Sequence, residues 1–218
     1  MKVKISKATT IKYVTGYTAY LVVIWAFYRF LFQFPDDVTE LVIKPIIWLA
    51  PLFYILRKER LGFSSIGITF KNLFPTIYLS LGLGSIFVLE GLLTNFLKYG
   101  HLNFAANIGT LPLMPSLGLS FATAFSEEMA FRGYIFSRLM GVMPSEWLAN
   151  LVQSAVWTAI HVPIAFFVVG YTVPQAIVYL SITAVFGLGS AFIFGRTKNV
   201  VGPILLHVLW EWPIILFR

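Results

Sequence analysis

Six ionisable side chains lie in the C-terminal half of this chain, and all of them except the arginine are of types that suit proton transfer. They are Glu127, Glu128, Arg132, His161, His207 and Glu211. Carboxylates and imidazoles are the side chains that most often act as general acids and bases in enzymes. The set is therefore a candidate site for general acid–base chemistry.

The spacing of the first three residues separates two roles. Residues four apart in a helix share one face, whereas adjacent residues diverge by about 100°. Glu128 and Arg132 therefore predict an ion pair within one helix, and such a pair taken alone favours a packing role. Glu127 points to another side, and we expect it to face the interior of the bundle without an ion-pair partner. A carboxylate in that position is suited to act as a general base.

A polar and aromatic stripe leads to the first histidine. Asn150, Gln153, Trp157 and His161 are spaced by three, four and four residues, which places them on one helical face. Pro163 lacks a backbone N–H and interrupts the helix there, so we expect it to free a carbonyl close to the imidazole. His207 and Glu211 are four residues apart on a later helix.

The composition indicates which solvent surrounds these residues. Hydrophobic residues make up 58% of the 218 residues and charged residues 11%, against roughly 45–50% and 25% in average soluble domains. This balance excludes a water-soluble globule and predicts a lipid environment. The chain has no cysteine, which excludes disulfides, thiolate nucleophiles and cysteine-ligated metals. An ionisable residue inside a membrane span is costly, so each one is a functional hypothesis.

Apolar segments long enough to cross a bilayer recur along the chain. A helical span takes about 20 residues, and backbone groups in lipid must be satisfied within the segment. We predict an all-α polytopic membrane protein with about seven transmembrane helices, at residues 11–32, 39–57, 73–98, 113–139, 145–169, 174–194 and 200–217.

A polar, glycine-containing segment at 99–112 suggests a division of the chain into two parts. Residues 1–112 would form an N-terminal three-helix membrane part, and residues 113–218 a four-helix catalytic core. Within residues 113–218, small residues recur every four positions at Gly187, Ala191 and Gly195. This spacing is typical of a close contact between two helices.

The basic residues predict the orientation, because cytoplasmic loops hold an excess of Lys and Arg. With the N-terminus inside, the outer helix ends carry only Arg29, Lys44, Lys98 and Arg218. The inner segments carry Lys2, Lys4, Lys7, Lys12, Arg57, Lys58, Arg60, Lys71, Arg138, Arg196 and Lys198. We therefore expect a cytoplasmic N-terminus and an external C-terminus. The net charge of +7 then reflects membrane orientation, and no nucleic-acid partner is expected.

Three motifs in order resemble those of one protein family. Residues 126–133, SEEMAFRG, resemble the EExxxR motif of the CPBP family, the CAAX proteases and bacteriocin-processing enzymes also called Abi. Residues 157–161, WTAIH, stand where its FxxxH motif would follow, with Trp in place of Phe. Residues 207–211, HVLWE, stand where a motif of His, three residues and then Asn or Asp would come.

The resemblance implies an intramembrane endopeptidase of the glutamic type. By position, Glu127 would be the general base, His161 would hold and polarise a water with it, and His207 would donate to the oxyanion. Glu128 and Arg132 would shape the site or contact the substrate.

Glu211 departs from the Asn or Asp of the third motif. An ionised Glu would repel an oxyanion, whereas a protonated one could donate a hydrogen bond to it.

Other hypotheses stay open at this point. The chain could be a non-catalytic bacteriocin-immunity or scaffold protein of the same family, or, with less support, a transporter or proton relay. No cofactor is expected, although two histidines and Glu127 could hold a zinc ion with an open position. The expected partners are the lipid bilayer and a membrane-associated peptide or protein substrate. The expected location is a prokaryotic plasma membrane.

Overall fold

The computed structural model describes residues 5–103 and 113–217, without the side chains of Lys98, Leu113 and residues 211–217. Within these residues the chain forms seven long helices and no strand. They are α1 (Lys7–Leu31), α2 (Asp36–Glu59), α3 (Leu73–Tyr99), α4 (residues 113–142), α5 (Glu146–Val168), α6 (Val173–Thr197) and α7 (Val201–Phe217). A short 3-10 turn, Phe63–Ile66, lies between α2 and α3. The all-α fold class is confirmed, and every predicted span corresponds to one helix.

Five of the helices are long and apolar enough to cross a membrane: α1, α2, α3, α5 and α6. Helix α4 carries charged side chains, and the searched part of α7, Val201–Trp210, is apolar but shorter than a membrane span. Large apolar side chains on the outer faces, such as Phe27, Ile46 and Leu89, are exposed, as expected for groups that face lipid. An integral membrane protein is confirmed, while crossing by α4 and α7 stays a prediction.

Local signals in the sequence explain where several helices begin and end. The side chains of Ser6 and Ser145 accept hydrogen bonds of 3.1 Å from backbone N–H groups three residues on, which caps α1 and α5. Thr172 begins α6 in a capping box. Helices α2 and α6 are each followed by a capping residue, Arg60 and Lys198, whose backbone is in the left-handed conformation.

An unbroken series of aromatic side chains crosses the core from α1 to α6. Ring centroids of Trp25 and Trp48 lie 5.4 Å apart, those of Trp48 and Phe131 5.7 Å, and those of Phe131 and Trp157 5.0 Å. Trp157 in turn lies 6.0 Å from Phe186. Aromatic pairs at these distances add packing energy beyond the area they bury. The series holds five helices around the segment that carries the candidate residues.

Helix α4 changes its winding directly after the two glutamates. Residues Met129–Phe136 form a π-helix, and all eight of them are buried. Such segments are uncommon and occur frequently at functional sites. Here the wider turn redirects the side chains that follow Glu128, among them Arg132, relative to a regular α-helix.

Helix α6 approaches α5 closely at the predicted small-residue positions. A Cβ atom at Gly187 would lie 3.2 Å from both Ser154 Cβ and Trp157 Cδ1. Ala191 is fully buried, and Gly195 faces the carboxylate of Glu146. The predicted role of these residues in helix contact is confirmed.

The N-terminal helices pack directly against the C-terminal ones. Helix α3 lies along α7, where the Ser80 hydroxyl donates to the Gly202 carbonyl at 3.0 Å. At one end of α2, the buried Glu59 and Arg138 of α4 form an ion pair of 2.7 Å. Most of the predicted seam lies at 104–112, outside the described residues, so the division at residue 112 stays a prediction.

Candidate active site

Glu128 is the fully buried centre of a hydrogen-bond network between three helices. Its Oε1 atom accepts from Arg132 Nη1 at 2.9 Å and from His207 Nδ1 at 2.8 Å, and its Oε2 atom accepts from the Ser190 hydroxyl at 2.8 Å. The predicted pair of Glu128 and Arg132 is therefore present. Because both carboxylate oxygens are engaged, Glu128 is suited to hold other groups in place.

Glu127 points to a different side of α4, where it meets an unexpected partner. Its Oε1 atom lies 2.6 Å from Lys44 Nζ, and the Lys44 side chain is only 3% exposed. The prediction that Glu127 has no ion-pair partner is wrong. Its partner stands on α2, 83 residues away in sequence, and only the packing of α2 against α4 brings the two together.

The structure fixes the ring of His161 at the interruption in α5. The backbone N–H of His161 donates to the Thr158 carbonyl at 3.1 Å. In a regular α-helix it would donate to the carbonyl four residues back, that of Trp157. The shift frees the Trp157 carbonyl, which accepts from His161 Nδ1 at 2.7 Å. A carbonyl can only accept, so Nδ1 carries a proton and a neutral ring keeps its lone pair on Nε2. A carbonyl near the imidazole is thus free, as predicted, but it is that of Trp157, released by the shift of the His161 backbone N–H and not by the missing N–H of Pro163.

Trp157 brings the two histidines to one place. Its ring centroid lies 4.6 Å from that of His161 and 5.7 Å from that of His207. Glu127 interacts electrostatically with both imidazoles. The three residues that the motifs select, from α4, α5 and α7, therefore form one buried cluster.

Arg132 closes one side of this cluster. Its guanidinium carbon lies 4.4 Å from the Trp157 ring centroid and 5.2 Å from that of Phe186, and Nη2 lies 3.5 Å from the Gly187 carbonyl oxygen. Cation–π contacts of this kind gain strength when they are shielded from water. The guanidinium balances the charge of Glu128 and supports the Trp157 ring.

The rest of the predicted stripe on α5 is buried and packs towards α6. Asn150 Nδ2 donates to the Leu188 carbonyl at 3.1 Å, and the Ser154 hydroxyl donates to Asn150 Oδ1 at 3.0 Å. Gln153 is fully buried. The bonds of Asn150 and Ser154 hold this part of α5 against α6, so that Trp157 and His161 project from a fixed scaffold.

Two further predictions concern the role of Glu211 and a possible metal site. Glu211 lies in α7, but its side chain falls outside the described ones, so its role stays a prediction. Among the described residues, no group of three or more His, Asp or Glu side chains is arranged to hold a metal ion.

Sequence reasoning missed three polar partners in the site. Lys44 was counted only as a basic residue at an outer helix end, although a lysine within an apolar span is itself a signal. Glu40, one helical turn before it, pairs with the same ammonium group. Ser190 on α6 binds Glu128, and nothing in the sequence marks this serine among the others.

One family model matches the part of the chain that carries the site. Residues 109–213 match the model described as type II CAAX prenyl endopeptidase, Rce1-like. Over this region, just under half of the chain, the sequence is similar to the Rce1-like family, which confirms the resemblance drawn from the three motifs. A search of curated proteins gave no match. The family is one of membrane proteases of the CAAX type, which act on membrane-associated substrates. Glu127, His161 and His207 lie inside the matched region, and Lys44 lies outside it.

Proposed function

We propose that this protein hydrolyses a peptide bond of a membrane-associated substrate with a water activated by Glu127 and His161. The observation that carries the proposal is that His161 and His207 both lie against Trp157 and both interact electrostatically with Glu127, with Nδ1 of His161 committed to a carbonyl. A neutral His161 then offers the Nε2 lone pair to a water O–H. Glu127 supplies the second acceptor and takes the proton.

The reaction then follows from these positions. The water oxygen attacks the peptide carbonyl carbon while its proton passes to Glu127. The carbonyl oxygen becomes an oxyanion, which His207 stabilises by donating a hydrogen bond. Glu127 returns the proton to the amide nitrogen, the C–N bond breaks, and the products are a carboxylic acid and an amine.

Glu128 and Arg132 support this reaction without contacting the reacting atoms. In this proposal His207 is protonated and donates through Nδ1 to the Glu128 carboxylate, which balances the charge of the ring. A protonated ring presents an N–H at Nε2, which is the donor that an oxyanion needs. Arg132 and Ser190 hold the carboxylate in place, and we propose that these three residues act through His207. Glu211 supports the same region of α7 in this proposal.

The family match is the only support for a substrate class. We infer a protein or peptide with a CAAX-like lipid-modified C-terminus, a sorting-signal helix or a small peptide precursor. The proposed location is a prokaryotic plasma membrane, with the N-terminus cytoplasmic and the C-terminus outside. Residues 113–218 form the proposed catalytic core, and residues 1–112 the accompanying membrane part.

Mass spectrometry of cells that carry either wild type or Glu127→Gln tests the proposal and searches for the substrate. The substitution keeps the size of the side chain and removes the base. We expect a peptide that is cleaved only with the wild type. Glu90→Gln is the control, because Glu90 lies on α3 and hydrogen-bonds to Thr94 within its own helix. Equal peptide sets from folded wild type and Glu127→Gln would favour the immunity or scaffold hypothesis instead.

A further inference from the structure

Lys44 is a buried ammonium group between two tryptophans and two carboxylates. Its Nζ atom lies 5.2 Å from the ring centroid of Trp25 and 5.6 Å from that of Trp48. It pairs with Glu127 at 2.6 Å and with Glu40 of its own helix. Burying an ammonium group costs several kcal/mol, because the charge loses its contacts with water. The two carboxylates compensate for this cost at Lys44.

The second carboxylate is held in place from α4. The Thr123 hydroxyl donates to Glu40 Oε2 at 2.8 Å. Thr123 stands four residues before Glu127 and so shares its helical face. The connections run from Thr123 through Glu40 and Lys44 to Glu127, and they close a loop between α4 and α2.

A second buried ion pair between the same two helices allows a comparison. Glu59 and Arg138 also join α2 to α4, and Arg138 donates further hydrogen bonds to Ser65. Arg138 follows Glu127 by eleven residues, about three helical turns along α4. Both pairs connect the helices, but only the pair of Lys44 includes the proposed base.

We propose that Lys44 is a positioning residue for Glu127 and that Glu40 is its second partner during the reaction. This inference rests on the proposed function. In the resting site the ammonium group fixes the rotamer of Glu127 and balances its charge. When Glu127 takes the proton from water, its charge is lost, and Lys44 keeps a full ionic partner in Glu40. No charge is left buried and unpaired at that step, which removes a cost from the barrier.

The proposal makes the N-terminal part of the chain a contributor to the site. Lys44 and Glu40 lie outside residues 109–213, the region that matches the family model. The C-terminal helices hold the proposed base and the histidines, while the partner that orients the base comes from α2.

Carbodiimide labelling tests the inference without requiring activity. Hydrophobic carbodiimides modify protonated carboxyl groups in membranes and leave ionised carboxylates largely intact. We expect Glu127 to remain unlabelled at neutral pH in the wild type and to become labelled in Lys44→Met, as read by peptide mass spectrometry. The control is the double variant Glu59→Gln/Arg138→Met, which removes the other ion pair and leaves no orphan charge. Glu127 labelling at the wild-type level in Lys44→Met would overturn the inference.

Cleavage of a farnesylated CAAX peptide in proteoliposomes gives the second measurement. We expect Lys44→Met to lower kcat about 100-fold with KM nearly unchanged, and Lys44→Arg to recover at least tenfold of this loss, since the charge is kept. Unchanged kcat in folded Lys44→Met would overturn the inference. If the wild-type protein cleaved neither this peptide nor any cellular one, that result would count against the proposed function. The labelling of Glu127 does not depend on cleavage, so it tests the role of Lys44 separately. If Lys44→Met does not fold, labelling of Lys44→Gln decides in the same way.

Discussion

The Nδ1 atom of His207 lies 2.8 Å from Oε1 of Glu128, so one of the two adjacent glutamates is committed to orienting a histidine. The same carboxylate binds Arg132 and Ser190, and it is fully buried. The neighbouring Glu127 faces Lys44 and interacts with both imidazoles. The two adjacent glutamates thus have different environments, and we expect substitutions at the two positions to have different effects on catalysis.

Glu128→Gln tests the supporting role of this residue. Loss of the carboxylate charge removes the group that orients His207 and would balance the charge of its ring, so we expect kcat to fall about 10- to 100-fold with little change in KM. Ser190→Ala removes one hydrogen bond from an uncharged donor and leaves the carboxylate and its other two partners in place, so it should lower kcat at most about fivefold. Both values of kcat are measured by steady-state kinetics on folded protein. A larger fall in kcat for Ser190→Ala than for Glu128→Gln would contradict this role.

Pro163→Ala tests whether the interruption of α5 orients His161. An alanine can donate its N–H to the Ala159 carbonyl and continue the helix, after which the His161 backbone N–H competes for the Trp157 carbonyl. We expect kcat to fall about tenfold while the melting temperature stays equal or rises, because a helical hydrogen bond is gained. Full activity in Pro163→Ala would show that the position of the ring does not depend on this interruption.

Gly187→Leu tests the close contact of α5 and α6 behind Trp157. A side chain at Gly187 would press on Ser154 and Trp157, and overpacking of this kind costs about 1–3 kcal/mol. We expect a lower melting temperature together with lower activity. Gly82→Leu on α3 is the matched control, since nothing lies within 4 Å of a Cβ atom there. Equal effects of the two substitutions would argue against a specific contact at Gly187.

The pair of Glu59 and Arg138 should matter for stability alone. Arg138→Met leaves the buried Glu59 without its cation, and breaking a buried pair costs about 3–5 kcal/mol. We expect a clearly lower melting temperature and normal kcat in the folded fraction. The double variant Glu59→Gln/Arg138→Met should regain part of the stability, since no charge is left unpaired. A folded Arg138→Met protein with reduced kcat would place this pair in the reaction, against our assignment.

The helices could be predicted from the sequence because the bilayer sets their length and their apolar composition. The contact of Glu128 with Arg132 could also be predicted, since it is a local effect of helical spacing. The proline predicted an interruption of the helix near His161, but not that the Trp157 carbonyl would bind the imidazole. The pairing of Glu127 with Lys44 could not, because it depends on which face of α2 meets α4. The contact of Ser190 with Glu128 has the same origin, and no residue pattern marks the π-helix at Met129–Phe136.

The most direct test of the account compares purified wild type and Glu127→Gln in proteoliposomes that contain a farnesylated CAAX peptide or a substrate found in cells. Glu90→Gln serves as the folded control. We expect cleavage by wild type and Glu90→Gln, and a loss of about 100-fold or more in folded Glu127→Gln, in which Lys44 keeps Glu40 as its ionic partner. Cleavage by Glu127→Gln at the wild-type rate would contradict the central claim that Glu127 is the base.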